Sequence, residues 1–116
     1  MSIKSMFRFA ALLELINALL HLGAFIPNGF DDTATQLVPA GFVHLLLAFF
    51  LYRAWRWAAW LQLVISALTG VTAIVLWSGF TLPEVWMALI IVLDFAIAAT
   101  CLTIIIRRFR GADNSR

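Results

Sequence analysis

The sequence predicts an all-α integral membrane protein, an up-down four-helix bundle with both termini cytoplasmic. Three observations predict it. The chain is 64% hydrophobic and only 12% charged, with a mean hydropathy of +1.00. Soluble domains are about 45–50% apolar and about 25% charged, so charges this sparse cannot coat a water-facing surface. Four long apolar stretches alternate with short segments that favour turns. The basic residues also partition by topology. Lys4, Arg8, Arg53, Arg56, Arg107, Arg108, Arg110 and Arg116 flank the termini and the middle connection, whereas the first and third connections carry Asp31, Asp32 and Glu84 and no Lys or Arg. The positive-inside rule then places the termini and the middle connection in the cytoplasm of a cell with this protein in its inner (plasma) membrane. Reading three spans would strand one basic cluster on the far side. A pI near 9.3 is therefore a topology signal and not a nucleic-acid footprint. With 116 residues the chain makes one domain. Its single cysteine, Cys101, excludes an internal disulfide.

Each span has its own justification. The first covers residues 7–26, about 30 Å of helix, one hydrocarbon thickness. Lys4 and Arg8 ahead of it resemble the start of a signal peptide, but no small-residue cleavage pattern follows, so the helix is read as retained. Pro27-Asn28-Gly29 ends it. The second span covers residues 36–52, with Pro39 in or near its first turn, where a missing N–H costs little. Arg53-Ala54-Trp55-Arg56 is a tight connection. The third span covers residues 57–77, bounded by Trp57 and Trp77 at headgroup level. Ser78-Gly79 breaks it. Thr81-Leu82-Pro83-Glu84 reads as a capping box, Thr81 as N-cap and Glu84 at N3. The fourth span covers residues 82–106, followed by a polar, mobile tail. Short connections make sequential helices antiparallel neighbours.

The polar residues inside these spans carry the functional argument. Glu14, Asn17 and His21 stand at i, i+3 and i+7, one stripe of the first helix. The second helix repeats the pattern with Gly41, His44 and Ala48, the third with Gln62, Ser66, Thr69 and Ala73, and the fourth with Asp94, Ala98 and Cys101. Small residues permit close helix approach and polar ones bond across helices, so the four stripes should converge inside the bundle. Glu14 and Asp94 fall at similar depth near the midplane, and His21 and His44 share a layer in the outer half. Burying an acid within a span costs about 2.5–3.5 kcal/mol even on lenient scales. Two readings of Glu14 with Asp94 stay open: a shared proton or bound cation, or a protonated acid hydrogen-bonded to Asn17 as helix glue. His21 and His44 read as interhelical hydrogen bonders or a proton relay, or as axial haem ligands, although no basic residue lies on that side to meet propionates. No metal site is expected, because Glu14 and His21 lie about 10 Å apart along the helix. Ser66, Thr69, Thr72, Thr100 and Thr103 should bond their own backbone one turn back. Cys101 should act as a small hydrophobe.

Ala10-Ala11-Leu12-Leu13-Glu14 in a first helix resembles the small multidrug resistance exporters, four-helix proteins of about this length. The resemblance implies that Glu14 binds proton and cationic substrate in alternation and that Trp60 is the third-helix aromatic. The family's third-helix Tyr-x-x-Trp-Ser/Thr-Gly pattern is not matched, since Trp77-Ser78-Gly79 lies at the helix end, and the complete charge bias opposes insertion in both orientations.

Three functions follow. The leading one is a non-enzymatic accessory subunit or small-molecule-binding membrane module built on Glu14, Asn17, His21, His44 and Asp94. Its partners would be the bilayer and a larger membrane protein or a second copy, with no nucleic acid. The second is a proton-coupled transporter of small cations. The third is a redox subunit that holds haem at His21 and His44 or contacts quinone.

Overall fold

The computed structural model describes residues 2–114, with side chains as far as Gly111; Arg116 lies outside the described residues. The described chain is all-helical. Helix α1 runs Ile3–Leu22, α2 Asp32–Tyr52, α3 Arg56–Val75 and α4 Glu84–Asn114. All four are long and apolar enough to cross a membrane. Short 3₁₀ turns follow α1 at Gly23–Phe25 and α3 at Trp77–Gly79. The start of α1, the last turns of α4 and the α2–α3 turn lie at one end, called here the basic end; the other two connections lie at the acidic end.

The helix boundaries differ from the expected ones for local reasons. Ser2 caps α1 by accepting the Ser5 N–H at 3.1 Å, so the helix begins before Phe7. Asp31 caps α2 by accepting the Ala34 N–H at 2.9 Å. That cap starts α2 at Asp32, and Pro39 stands in the helix interior instead of the first turn. The Thr81 capping box does not form. Thr81 Oγ1 donates to Asp31 Oδ2 at 2.5 Å, its N–H donates to Thr33 Oγ1 at 3.1 Å, and its carbonyl accepts from Asn28 Nδ2 at 2.9 Å. With those groups engaged by the first connection and the start of α2, Thr81 latches two loops together, and α4 starts at Glu84 behind Pro83. The carbonyl of Pro83 takes the Met87 N–H at 3.1 Å. Helix α4 also runs past Ile106. The guanidinium of Arg108 lies 5.3 Å over the Phe7 ring and Arg107 donates to Met6 Sδ at 3.2 Å, which docks the extra turns on the start of α1.

Packing makes the bundle a ring with one open edge. Helix α1 packs along both α2 and α4, and α3 packs along α4, but α2 and α3 scarcely meet. Sequential neighbours were expected throughout, and this pair is the exception. The cause lies in where the small residues face. A Cβ at Gly41 would come within 2.7 Å of Leu22 Cγ and 3.0 Å of the Leu22 backbone nitrogen, so the bare face of α2 is pressed on α1. A Cβ at Gly70 would meet Phe95 at 3.1 Å and Asp94 Cβ at 3.3 Å, so the bare face of α3 is pressed on α4. Neither close-approach face is left for the α2–α3 edge.

Two apolar clusters sandwich a polar layer. The cluster toward the basic end is built on Phe7, Ala10, Leu51, Ala58, Ile97, Cys101 and Ile104. Cys101 packs there as the small hydrophobe the sequence suggested. The cluster toward the acidic end is built on Ala24, Ala73, Leu82, Met87 and Ile90.

Candidate binding site: a buried carboxylate and imidazole layer

Each helix sends its polar stripe into the layer between the clusters. Glu14, Asn17, Gln62, Ser66 and Asp94 are fully buried, and His21 and His44 nearly so. The predicted site residues Glu14, Asn17, His21, His44 and Asp94 are thus brought together. Glu14 Oε1 of α1 lies 2.6 Å from His44 Nδ1 of α2. The two atoms do not complete a well-aligned hydrogen bond, and the contact is an ion pair only when the imidazole is protonated. Asn17 Nδ2 donates to Asp94 Oδ1 at 2.8 Å, joining α1 to α4. Asn17 also anchors His21, whose Nδ1–H donates to the Asn17 carbonyl at 2.8 Å. That donation leaves Nε2 as the lone-pair nitrogen of the neutral ring. The His21 and His44 rings touch at a centroid distance of 4.3 Å, tilted by 44°.

Gln62 was missing from the expected site. It stands beside the Glu14 carboxylate and donates through Nε2 to Ser66 Oγ at 2.6 Å. The i, i+4, i+7 stripe of Gln62, Ser66 and Thr69 was the available signal. The hydroxyls divide. Thr100 and Thr103 donate one turn back to Ala96 and Ala99 at 2.8 Å, as expected. Thr69 donates three residues back to Ser66 at 3.2 Å, and Ser66 is instead taken by Gln62.

The layer has a lopsided hydrogen-bond balance. Among the described residues, six of its buried polar atoms complete no well-aligned hydrogen bond: Glu14 Oε1 and Oε2, Asn17 Oδ1, Gln62 Oε1, Asp94 Oδ2 and His44 Nδ1, of which Glu14 Oε1 and His44 Nδ1 face each other. Five of the six are oxygens of carboxyl or carboxamide groups, which only accept when the acids are ionised. Unpaired buried acceptors cost free energy, roughly 1–3 kcal/mol each.

The open α2–α3 edge leads to this layer. A cleft of about 270 Å³ enters from the acidic end, past Gln36 and Leu76, and its inner wall holds His21, His44, Thr69, Thr72 and Asp94. Glu14 stands behind His44 and does not line it. Toward the basic end the layer is closed by the apolar cluster around Phe7, Leu51 and Ile97. The arrangement is a blind pocket with a carboxylate in its wall.

The geometry does not fit a haem. Axial ligation from both sides needs two metal–nitrogen bonds of roughly 2 Å in line, and rings in contact at 4.3 Å leave no slot for a porphyrin. Among the described residues, no three His, Cys, Asp or Glu side chains come together as a metal-binding group. Compared with family models, with curated proteins and with solved structures, the chain matches none.

Proposed function

We propose that this chain is a non-enzymatic membrane module that binds a small donor-rich molecule, a protonated amine or similar cation, in the α2–α3 cleft. In this reading all four helices cross the inner membrane, the basic end is cytoplasmic, and the cleft opens toward the opposite face. The single observation that carries it is Asp94: fully buried, with Oδ1 held by Asn17 and Oδ2 unpaired in the cleft wall. A cation there would meet one carboxylate directly and the second, Glu14, through His44. Neutral Thr69 and Thr72 would serve its remaining donors. Apolar clusters close the layer on both sides, so a charge–charge contact there is screened less than in water.

The closed apolar cluster at the basic end favours binding over conduction. A proton-coupled exporter needs access to the carboxylates from both faces, and here the polar layer meets only one. The exporter reading would therefore require a second conformation that parts Phe7 from Leu51 and Ile97.

The test is a matched series of probes: benzylammonium, benzyl alcohol and benzoate, titrated onto the protein in nanodiscs by calorimetry. The ammonium should bind at least ten-fold tighter than the alcohol, the carboxylate should not bind, and Asp94→Asn should erase the ammonium preference. Benzoate binding as tightly as benzylammonium, or no binding by any of the three, overturns the proposal.

A further inference from the structure

A second pocket lies at the basic end, independent of the cleft. It is a groove of about 190 Å³ between α3 and α4, lined by Arg56, Trp60, Ile104, Ile105, Arg108 and Phe109. One arginine comes from the first residue of α3 and the other from the late turns of α4. Between them the floor is apolar. The guanidinium of Arg108 also lies 5.3 Å over the Phe7 ring, a cation–π contact that favours this placement.

Charge complementarity points to the occupant. Two guanidinium groups from different helices converge, and among the described residues no carboxylate pairs with either. The acids whose side chains are described lie elsewhere: Glu14 and Asp94 inside the bundle, and Asp31, Asp32 and Glu84 at the acidic end. Arginine forks suit phosphate oxygens, which they bind through paired N–H donors. Below the arginines, exposed Trp60 and half-buried Ile105 continue the groove along the helices over the buried Ile104, at the depth where acyl chains run when the basic end lies at a headgroup layer.

We infer that this groove is a discrete site for one anionic phospholipid, its phosphate between Arg56 and Arg108 and an acyl chain along Trp60 and Ile105. The site differs from the general attraction of basic segments for acidic membranes because it uses two particular arginines and a shaped floor. Each guanidinium near the surface favours an anionic lipid by roughly five-fold.

Native mass spectrometry of the intact protein, released from mild detergent after titration with lipid, tests this. Phosphatidylglycerol should give a one-to-one adduct that outlasts the phosphatidylcholine adduct by roughly ten-fold or more. The double variant Arg56→Gln, Arg108→Gln should lose that preference, whereas Arg53→Gln, Arg110→Gln, which removes equal charge away from the groove, should keep it. Each single groove variant should lose part of it, which keeps the test open if the double variant folds poorly. Equal loss in both double variants, a ladder of adducts with no one-to-one plateau, or displacement of the lipid by millimolar inorganic phosphate overturns the inference. The first two outcomes indicate ordinary annular lipid and the third a site for free phosphate.

Discussion

Asn17 Nδ2 donates to Asp94 Oδ1 across 2.8 Å, and this bond ties the first helix to the fourth in the middle of the polar layer. The same asparagine takes the His21 ring on its carbonyl. One residue thereby orients an acid on one helix and an imidazole on its own.

Replacing Asn17 with alanine should leave Asp94 Oδ1 buried and without its donor. The expected loss is about 1–3 kcal/mol, read as a lower unfolding temperature by circular dichroism in mild detergent. Asp94→Asn keeps the shape and an acceptor oxygen, and should cost less. The two substitutions combined should show a coupling energy above roughly 0.5 kcal/mol. Strict additivity would mean that the bond contributes little to holding α1 on α4.

Gly41→Ala is expected to destabilise the protein by about 1–2 kcal/mol, the cost of overpacking a tight contact. The added methyl would press into Leu22 Cγ at 2.7 Å and close on the Leu22 backbone nitrogen at 3.0 Å. Alanine's advantage over glycine within a helix, about 1 kcal/mol, offsets only part of the clash. A thermal midpoint equal to or above that of the wild type would contradict the close α1–α2 approach.

Ala54→Gly should act in the opposite direction. Ala54 sits in the left-handed region, with φ of 57°, where the chain turns from α2 into α3. An L-residue with a Cβ is disfavoured there by about 1–2 kcal/mol, and glycine is not. A gain of about 1 kcal/mol in the same unfolding measurement is expected, and a loss would show that the turn takes another conformation.

The loop latch predicts an acid limb. The Ala34 backbone N–H and the Thr81 hydroxyl hold the Asp31 carboxyl below its ordinary value of 3.8. A carboxylate whose folded value is depressed contributes stability above the unfolded value and loses it as pH falls through the folded one. Asp31→Asn should therefore be the less stable protein at neutral pH, and the difference should close as pH drops below about 4. Unfolding temperatures recorded from pH 7 to pH 3 check this; a gap that stays constant over that range would sever the latch from Asp31 ionisation.

Much of the layer was legible in the sequence because a polar residue in an apolar run has few places to go. The spacing of Glu14, Asn17 and His21 fixes one helix face, and the same logic placed His44 and Asp94 opposite it. Gln62 was visible in its stripe, yet its role depends on sitting across from Glu14, which no single-helix pattern encodes. The capping of α2 illustrates a different limit. Asp31, Asp32, Thr33 and Thr35 are all competent caps, and the choice of Asp31 follows from its second bond, to Thr81 fifty residues away. Thr81 itself was misread for the same reason, since a local capping pattern lost to a tertiary partner. The cleft was not legible at all. It arises because Gly41 and Gly70 spend their close-approach faces on α1 and α4, a matter of helix rotation that periodicity leaves undetermined.

The open edge also decides how the molecule yields to force. With α2 held by α1 and α3 held by α4, the chain is two leaves joined along a spine where α1 meets α4. That seam and the short Arg53–Trp55 link are what join the leaves, so a bend of the bundle changes first the width of the gap between them. On the proposed reading, the affinity of a ligand lodged there would follow the thickness and tension of the bilayer around it.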